Sequence, residues 1–348
     1  MSILLKYPTP YNLNYFWNIG SLIGIFMGIQ ILSGLFLTMF YSSYIEQSFL
    51  SVVYIMNDVN MGIYIRFMHM NGASFCMALI YLHLGRGLYY KGYYNYISWF
   101  LGVSLLLMTM AVAFFGYVLP WGQMSFWGAT VITSMISVFP WGMKILIWLW
   151  GGFSVNYPTL SRFYTLHFFM PIIMVPVMFL HIYFIHMKGS FNPLGLFTKS
   201  LTFNFWPYFG IKNFLGFFFF FFFFFIIVFY YPEIFGEEDN YIEASSLITP
   251  THIKPEWYFL FAYAMLRSIP NKLLGVLVMV FSILIFFLAS LFSSFISMGF
   301  RFFFFFFWFF NWMILTFLGG IHITSHAIFL SQILGIFYFL FFFFMLIF

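Results

Sequence analysis

The chain has 348 residues, 64% of them hydrophobic and 6% charged, with a formal net charge of +5. A soluble domain carries roughly a quarter charged residues, so this chain cannot cover a water-facing surface and its solvent must be largely lipid. Its one cysteine excludes an internal disulfide framework and a cysteine-rich metal site.

Backbone in lipid must satisfy its own hydrogen bonds, which leaves helices or closed barrels. The apolar runs here are long and do not alternate, so they read as helices. Met1 to Tyr15 is polar and contains proline, without the apolar core or small-residue site of a cleavable signal. The first span covers 17–41 and carries Gly20 and Gly34; Glu46 and Asp58 follow it. The second, 61–90, carries Arg66, His69, Cys76, His83 and Arg86, and Cys76 in this apolar setting reads as packing. The third, 97–120, carries Gly102 and Gly116, and the fourth, 158–188, carries Arg162, His167, His181 and His186. The fifth, 212–231, opens with Lys212-Asn213 and contains the block Phe217 to Phe225. An acidic loop and then the run Pro255-Glu256-Trp257-Tyr258 lead to the sixth span, 273–294. The seventh and eighth, 302–318 and 327–347, flank His322 and His326, two interfacial histidines with no assigned role. Phenylalanine accounts for 60 residues. Nine in a row are no packing code; they read as codon drift in a T-rich genome, as in an organelle. The fold predicted is all-α, a polytopic membrane protein with eight transmembrane helices, the first four forming a bundle.

With eight spans both termini share one side. That side holds Lys6, Arg86, Lys91, Lys188, Lys199, Lys212 and Arg301 and no acid. The acids Glu46, Asp58, Glu233, Glu237, Glu238, Asp239, Glu243 and Glu256 fall on the other. Seven or nine spans would scramble this split. The basic side is the inner, N side, and the acidic side the outer, P side.

His69 and His83 are 14 residues apart, as are His167 and His181. Fourteen helical residues return to within about 40° of the same face and climb roughly 21 Å. The second and fourth spans run the same way, so His69 is level with His167 and His83 with His181. A lone membrane histidine is usually a packed or hydrogen-bonded core residue. Two matched pairs on parallel helices are the axial set of two stacked, electron-transferring haems. Gly20 and Gly34, and Gly102 and Gly116, repeat the 14-residue spacing at the same two levels. They read as clearance for a macrocycle; alone they would read as ordinary small-residue helix packing. Arg66, Arg86 and Arg162 lie three to five residues from a histidine and suit haem propionates, or else snorkel to headgroups.

At this point the chain resembles cytochrome b of ubiquinol–cytochrome c reductase, the respiratory complex III. The resemblance is carried over nearly the whole chain by Trp17-Asn18 with Gly20-Ser21, the two histidine pairs, Pro120-Trp121-Gly122-Gln123 through Trp127-Gly128-Ala129-Thr130, Gly151-Gly152-Phe153-Ser154, and Pro255-Glu256-Trp257-Tyr258. The photosynthetic counterpart divides this region between two chains and has one more residue in its second histidine pair. The resemblance implies two non-covalent haems b, on His69 and His167 at the P side and on His83 and His181 at the N side. It implies a P-side quinol-oxidation site at Gly128, Pro255, Glu256, Trp257, Tyr258 and Tyr263, with Glu256 and Tyr258 catalytic. A partly desolvated carboxylate suits proton acceptance there; the plain alternative is a solvated acid like residues 237–239. It implies an N-side quinone-reduction site at Asn18, Ser21, His186, Ser190, Lys212 and Asn213. Asn213 stands where the family usually has an acid, and could simply cap its helix; His186 could be a plain boundary histidine. The chain also stops at its eighth span, without the family's usual polar tail.

The implied reaction oxidises quinol at the P side. One electron goes to a Rieske-type iron–sulfur subunit and a c-type cytochrome, the other through the two haems to a quinone at the N side, contributing to proton-motive force. The expected partners are ubiquinol and ubiquinone, these subunits and others of the complex, a second copy in a homodimer, and membrane lipid, with no nucleic acid. The expected location is the mitochondrial inner membrane with both termini in the matrix. Residues 1–200 are expected to form the di-haem bundle, and 201–348 a four-helix unit completing the quinol site. One rival is a membrane-anchor di-haem b cytochrome of another quinone-linked dehydrogenase, which would lack eight spans and the Pro-Glu-Trp-Tyr loop. Another is a transporter relaying protons through buried histidines, which would lack haem absorption.

Overall fold

The computed structural model describes residues 6–194, 201–291 and 298–347. Lys199 and the last residues predicted for the sixth span, 292–294, lie outside the described residues. The helices are α1 (Ile19–Thr38), α2 (Ile45–Asn57), α3 (Gly62–Tyr89), α4 (Tyr96–Val118), α5 (Gln123–Ser134), α6 (Gly142–Trp150), α7 (Tyr157–Lys188), α8 (Gly210–Tyr230), α9 (Leu260–Ser268), α10 (Lys272–Leu284), α11 (Met298–Gly320) and α12 (Ser325–Ile347). Strands β1 (Pro8–Pro10) and β2 (Thr202–Asn204) pair antiparallel, with Thr9 opposite Phe203.

Among the described residues, seven helical segments are long and apolar enough to cross a membrane: Tyr15–Thr38, Tyr96–Val118, Tyr157–Lys188, Phe205–Tyr230, Lys272–Leu291, Phe300–Gly320 and Ser325–Met345. The remaining predicted span is α3. At 28 residues it has the length, but Arg66, His69, Asn71, His83 and Arg86 make it more polar than the other seven. A helix that serves an interior site with polar side chains is apolar only over the rest of its surface. Helices α2, α5, α6 and α9, of 9 to 13 residues, lie between the spans and are too short to cross lipid. Two prolines, Pro171 and Pro176, lie inside α7; membrane helices tolerate them because neighbours re-satisfy the freed backbone groups.

The chain divides into two compact units, with boundaries that fall inside α2, α4 and α7. The first comprises Met1–Tyr41, Val53–Ala111 and Phe169–Phe235, and the second Ser42–Val52, Val112–Phe168 and Gly236–Phe348. In the first unit α1 packs along α3, and α8 also packs on α3. Ile19, Leu22, Phe26, Phe67, Cys76, Leu79, Phe224 and Val228 form its core. Asn71 donates to Phe67 O at 3.0 Å and to Pro232 O at 2.9 Å, which fastens α3 to the segment after α8. The Phe217–Phe225 block is only partly a core element. Phe224 is wholly buried, with its ring centroid 5.1 Å from that of Phe26, while Phe218 is 77% exposed. Lipid accepts the exposed rings without a partner, so no packing constraint acts on most of the block.

In the second unit Val118, Trp121, Ala129, Val155, Leu160 and Phe163 form a core. Here α9 packs against α10, α11 and α12. Gly319 on α11 lies directly on the Leu260 carbonyl, where any Cβ would collide with the backbone. Gln332 donates to Ser268 O at 2.8 Å, Asn311 to Leu334 O at 2.9 Å and Tyr338 to Ser282 O at 2.7 Å. Each of these bonds satisfies a carbonyl with a side chain from another helix, the polar glue that membrane helices use.

Candidate functional site

In the first unit two imidazoles face each other. His83 on α3 and His181 on α7 have ring centroids 6.2 Å apart, with planes at 58°. A ligating nitrogen lies about 2 Å from its metal and about 1 Å from its own ring centre, so imidazoles on opposite sides of one iron have centroids roughly 6 Å apart. The rings border a partly open cleft lined also by Trp17, Arg86, Ser98, Trp99 and Ser190.

The glycines explain how the rings fit. A Cβ added at Gly20 would stand 3.1 Å from His83 Cε1, and one at Gly102 would stand 3.0 Å from His181 Cε1. At the other level, a Cβ at Gly34 would lie 3.2 Å from His69 Cε1, and one at Gly116 would collide with the His167 ring. Each of the four glycines therefore faces one of the four histidines. The sequence reading assigns them to macrocycle clearance; in the structure the nearest group they clear is the imidazole itself.

Hydrogen bonds set the tautomers. His181 Nδ1 lies 2.7 Å from Ser98 O, and His167 Nδ1 lies 2.8 Å from Val112 O. A carbonyl can only accept, so Nδ1 carries the proton and Nε2 is left to ligate. His69 Nδ1 lies 2.9 Å from Ser33 Oγ, and that hydroxyl donates to Ile29 O at 2.7 Å. The Ser33 oxygen therefore accepts from His69. Ser33 and Ser98 are absent from the sequence-predicted site. Their only signal is position: Ser33 immediately precedes Gly34, and Ser98 lies one turn before Gly102.

Arg86 Nη2 lies 3.4 Å from His83 Nδ1, and its Cζ sits 5.4 Å from the Trp17 ring centre. Its Nε is buried without a hydrogen-bond partner. A buried donor of this kind calls for an acceptor, and an acidic group on a bound macrocycle would supply one. The donor set, the glycine clearance and this orphaned Nε fit a haem in the His83–His181 cleft. Arg66 is half-buried on α3, three residues before His69. Arg162 is exposed and donates to Trp148 O and, at 3.1 Å, to Leu149 O, the carbonyl end of α6.

The residues predicted for quinone reduction all lie in the first unit. Asn18 donates to Lys212 O at 3.1 Å, Ser21 to Asn18 O at 2.8 Å, and Lys212 Nζ to Leu13 O at 2.5 Å. His186 meets Tyr7: their ring centroids are 4.6 Å apart, and the Tyr7 hydroxyl reaches His186 O at 3.4 Å. Ser190 lines the His83–His181 cleft. Asn213 is half-buried on α8 beside Lys212. Tyr7 is a further neighbour that no pattern in the sequence indicates, 179 residues from its partner.

The residues predicted for quinol oxidation all lie in the second unit. Glu256 is half-buried and begins the 3₁₀ turn Trp257–Phe259, with Phe259 N bonded to Glu256 O at 2.9 Å; Tyr258 in that turn is 3% exposed. Tyr263 on α9 reaches Ile253 O at 3.4 Å. Burial pushes its phenol above the usual range, against the opposing charge of Arg267. Gly128 on α5 opens onto free space. The loop leading to Glu256 is stitched to the start of α5: Gln123 Nε2 and Trp127 Nε1 each donate to Ile248 O at 3.0 Å, and Ser245 N donates to Gln123 Oε1 at 2.9 Å. His322 meets His252, with ring centroids 4.3 Å apart. Burial and then the nearby His322, Lys254 and Arg267 lower the His252 pKa. His326 stays exposed.

Two family models match the chain. The one described as cytochrome b/b6/petB matches residues 4–189, and the one described as cytochrome b(C-terminal)/b6/petD matches residues 243–339. A solved structure entitled "Hyperthermophilic respiratory Complex III" superposes with a TM-score of 0.94 at 30% sequence identity, over 99% of this chain and 94% of that one.

Proposed function

Since the chain belongs to the cytochrome b family, in the form found in respiratory complex III, we propose that it is the haem-bearing, quinone-reactive subunit of a quinol–cytochrome c oxidoreductase. The observation that carries this reading is the His83–His181 pair, 6.2 Å apart across a cleft bordered by a glycine-cleared helix on each side. His83 and His181 hold one haem b; His69 and His167 hold the other. Arg66 and Arg86 serve as partners for the propionates, whereas Arg162, expected with them, is engaged at the end of α6. When bound, the two haems pass single electrons across the apolar layer. The chain's own residues bind quinol at the P side and take its protons, then bind quinone at the N side and supply protons there. Residues 1–200 carry the haems, and 201–348 complete the quinol site. The second electron of each quinol leaves to a Rieske-type iron–sulfur subunit and a c-type cytochrome. The complex is a homodimer in the mitochondrial inner membrane, using ubiquinol and ubiquinone, with both termini in the matrix. The test is a redox-titrated optical spectrum of the isolated complex. Two b-type components are expected, and the absence of haem bands would overturn the reading.

At the N side, Asn213 contributes a hydrogen bond to the quinone and no proton, because an amide does not titrate in this range. Proton delivery then falls to His186, whose residue type titrates near neutrality. Asn213→Asp is expected to keep or modestly raise the reoxidation rate of the N-side haem. Asn213→Leu should slow it, and His186→Leu should slow it more. If Asn213→Leu leaves that rate untouched while His186→Leu abolishes it, Asn213 is no quinone ligand; nor does it cap α8, because that helix starts at Gly210 with Phe209 at its cap and Asn213 lies inside its first turn.

A further inference from the structure

Resting on the P-side quinol site proposed above, we propose that Arg267 is a positioning residue for Tyr263: it fixes the Tyr263 ring, and so the direction of its hydroxyl, relative to the end of α11. Arg267 follows Tyr263 by four residues on α9, so the two side chains share one helix face. Its guanidinium donates to Leu318 O at 2.6 Å and to Ile321 O at 3.2 Å. These carbonyls belong to the last turn of α11 and the residue just past it, where the helix has no backbone donor of its own to offer. A cation is also favoured there by the helix dipole. The forked guanidinium is thus held at two points, and its Cζ lies 4.7 Å from the Tyr263 ring centre.

The hold on Tyr263 from its other end is weak. Its hydroxyl reaches Ile253 O at 3.4 Å, the long limit of a hydrogen bond. A bond of that length does not fix a phenol, so the ring depends on what lies against its face. Arg267 supplies that face, and its own position is not free to drift. Gly319 on α11 sits against the Leu260 carbonyl, and Gln332 of α12 holds Ser268 O at 2.8 Å. The start of α9 is therefore pinned to α11, the helix whose end Arg267 holds, and its last residue to α12. Ile253 is three residues before Glu256, so the hydroxyl of the ring that Arg267 holds is directed at the loop that carries the carboxylate. Lysine at 267 would keep the charge but present a point instead of a fork, and could hold only one carbonyl while losing the planar contact with the ring.

The test is a double-substitution cycle on the intact complex, reading quinol oxidation as kcat and KM with both b-type components verified by spectrum. Tyr263→Phe keeps the ring and removes the hydroxyl. Arg267→Lys and Arg267→Gln are each made alone and on the Tyr263→Phe background. If Arg267 acts through the hydroxyl, Arg267→Lys lowers kcat/KM about fivefold alone and has almost no further effect once the hydroxyl is gone, the mark of coupled residues. Arg267→Gln is expected to be worse than Arg267→Lys on the native background and equal to it on the Phe background. Equal losses from Arg267→Lys on both backgrounds would overturn the proposal and leave Arg267 a helix-end clamp only. A Tyr263→Phe enzyme with unchanged quinol oxidation would instead overturn the placement of Tyr263 in the quinol site.

Discussion

His83→Leu is expected to remove one of the two b-type components from the optical spectrum and to leave the other. Leucine fills much the same space and offers no ligand, and an electron-transferring haem of this kind needs both axial histidines. His181→Leu should remove the same component, since the two imidazoles face each other across one cleft. His69→Leu and His167→Leu should together define the other. That second pairing rests on helix register: each lies 14 residues before its partner on α3 or α7. His326, which is exposed, provides the control, and His326→Gln should leave both components in place. N-side quinone reduction should be lost in the His83→Leu complex, because the haem removed is the one on the proposed route to that site. If His69→Leu and His181→Leu removed the same component, the pairing would be wrong. If His83→Leu retained both, His83 would be no ligand at all.

Glu256→Gln should slow quinol oxidation by on the order of a hundredfold, the low end of what a positioned proton acceptor contributes, while both b-type components remain. The backbone around Glu256 is held on both sides. Pro255 precedes it, the turn at Trp257–Phe259 closes on its carbonyl at 2.9 Å, and buried Tyr258 anchors that turn. Glutamine can occupy the same backbone and keeps the side-chain shape, but it cannot take the proton that quinol must lose. Glu237 offers a comparison in the same region. It pairs with Lys254 at 2.9 Å with both side chains partly exposed, and such pairs contribute little. Glu237→Gln should therefore change the rate by less than about twofold, whereas Glu256→Gln changes it far more. A Glu256→Gln rate that matches the parent across the working pH range would exclude the carboxylate from proton transfer.

The apolar composition and the long unbroken runs determined an all-α membrane protein, because lipid admits few other ways to satisfy a backbone. The histidine spacing determined which residues share a face and a level, because the rise and rotation of a helix are fixed by its backbone. The matching glycines could be placed at those levels by the same arithmetic. Only the tertiary structure decided what each of them meets: every glycine faces an imidazole, and Ser33, Ser98 and the Val112 carbonyl set the ring tautomers. Arg162 illustrates the limit. Sequence spacing places it near His167, yet its guanidinium binds the end of α6, a nine-residue helix that the run of residues between spans does not announce. The contacts of Tyr7 with His186, His252 with His322 and Arg267 with the end of α11 were equally invisible. Periodicity along a chain reports the direction a side chain takes from its own helix, whereas the partners of Tyr7, His252 and Arg267 come from segments 50 or more residues away and are selected by packing that no local pattern encodes.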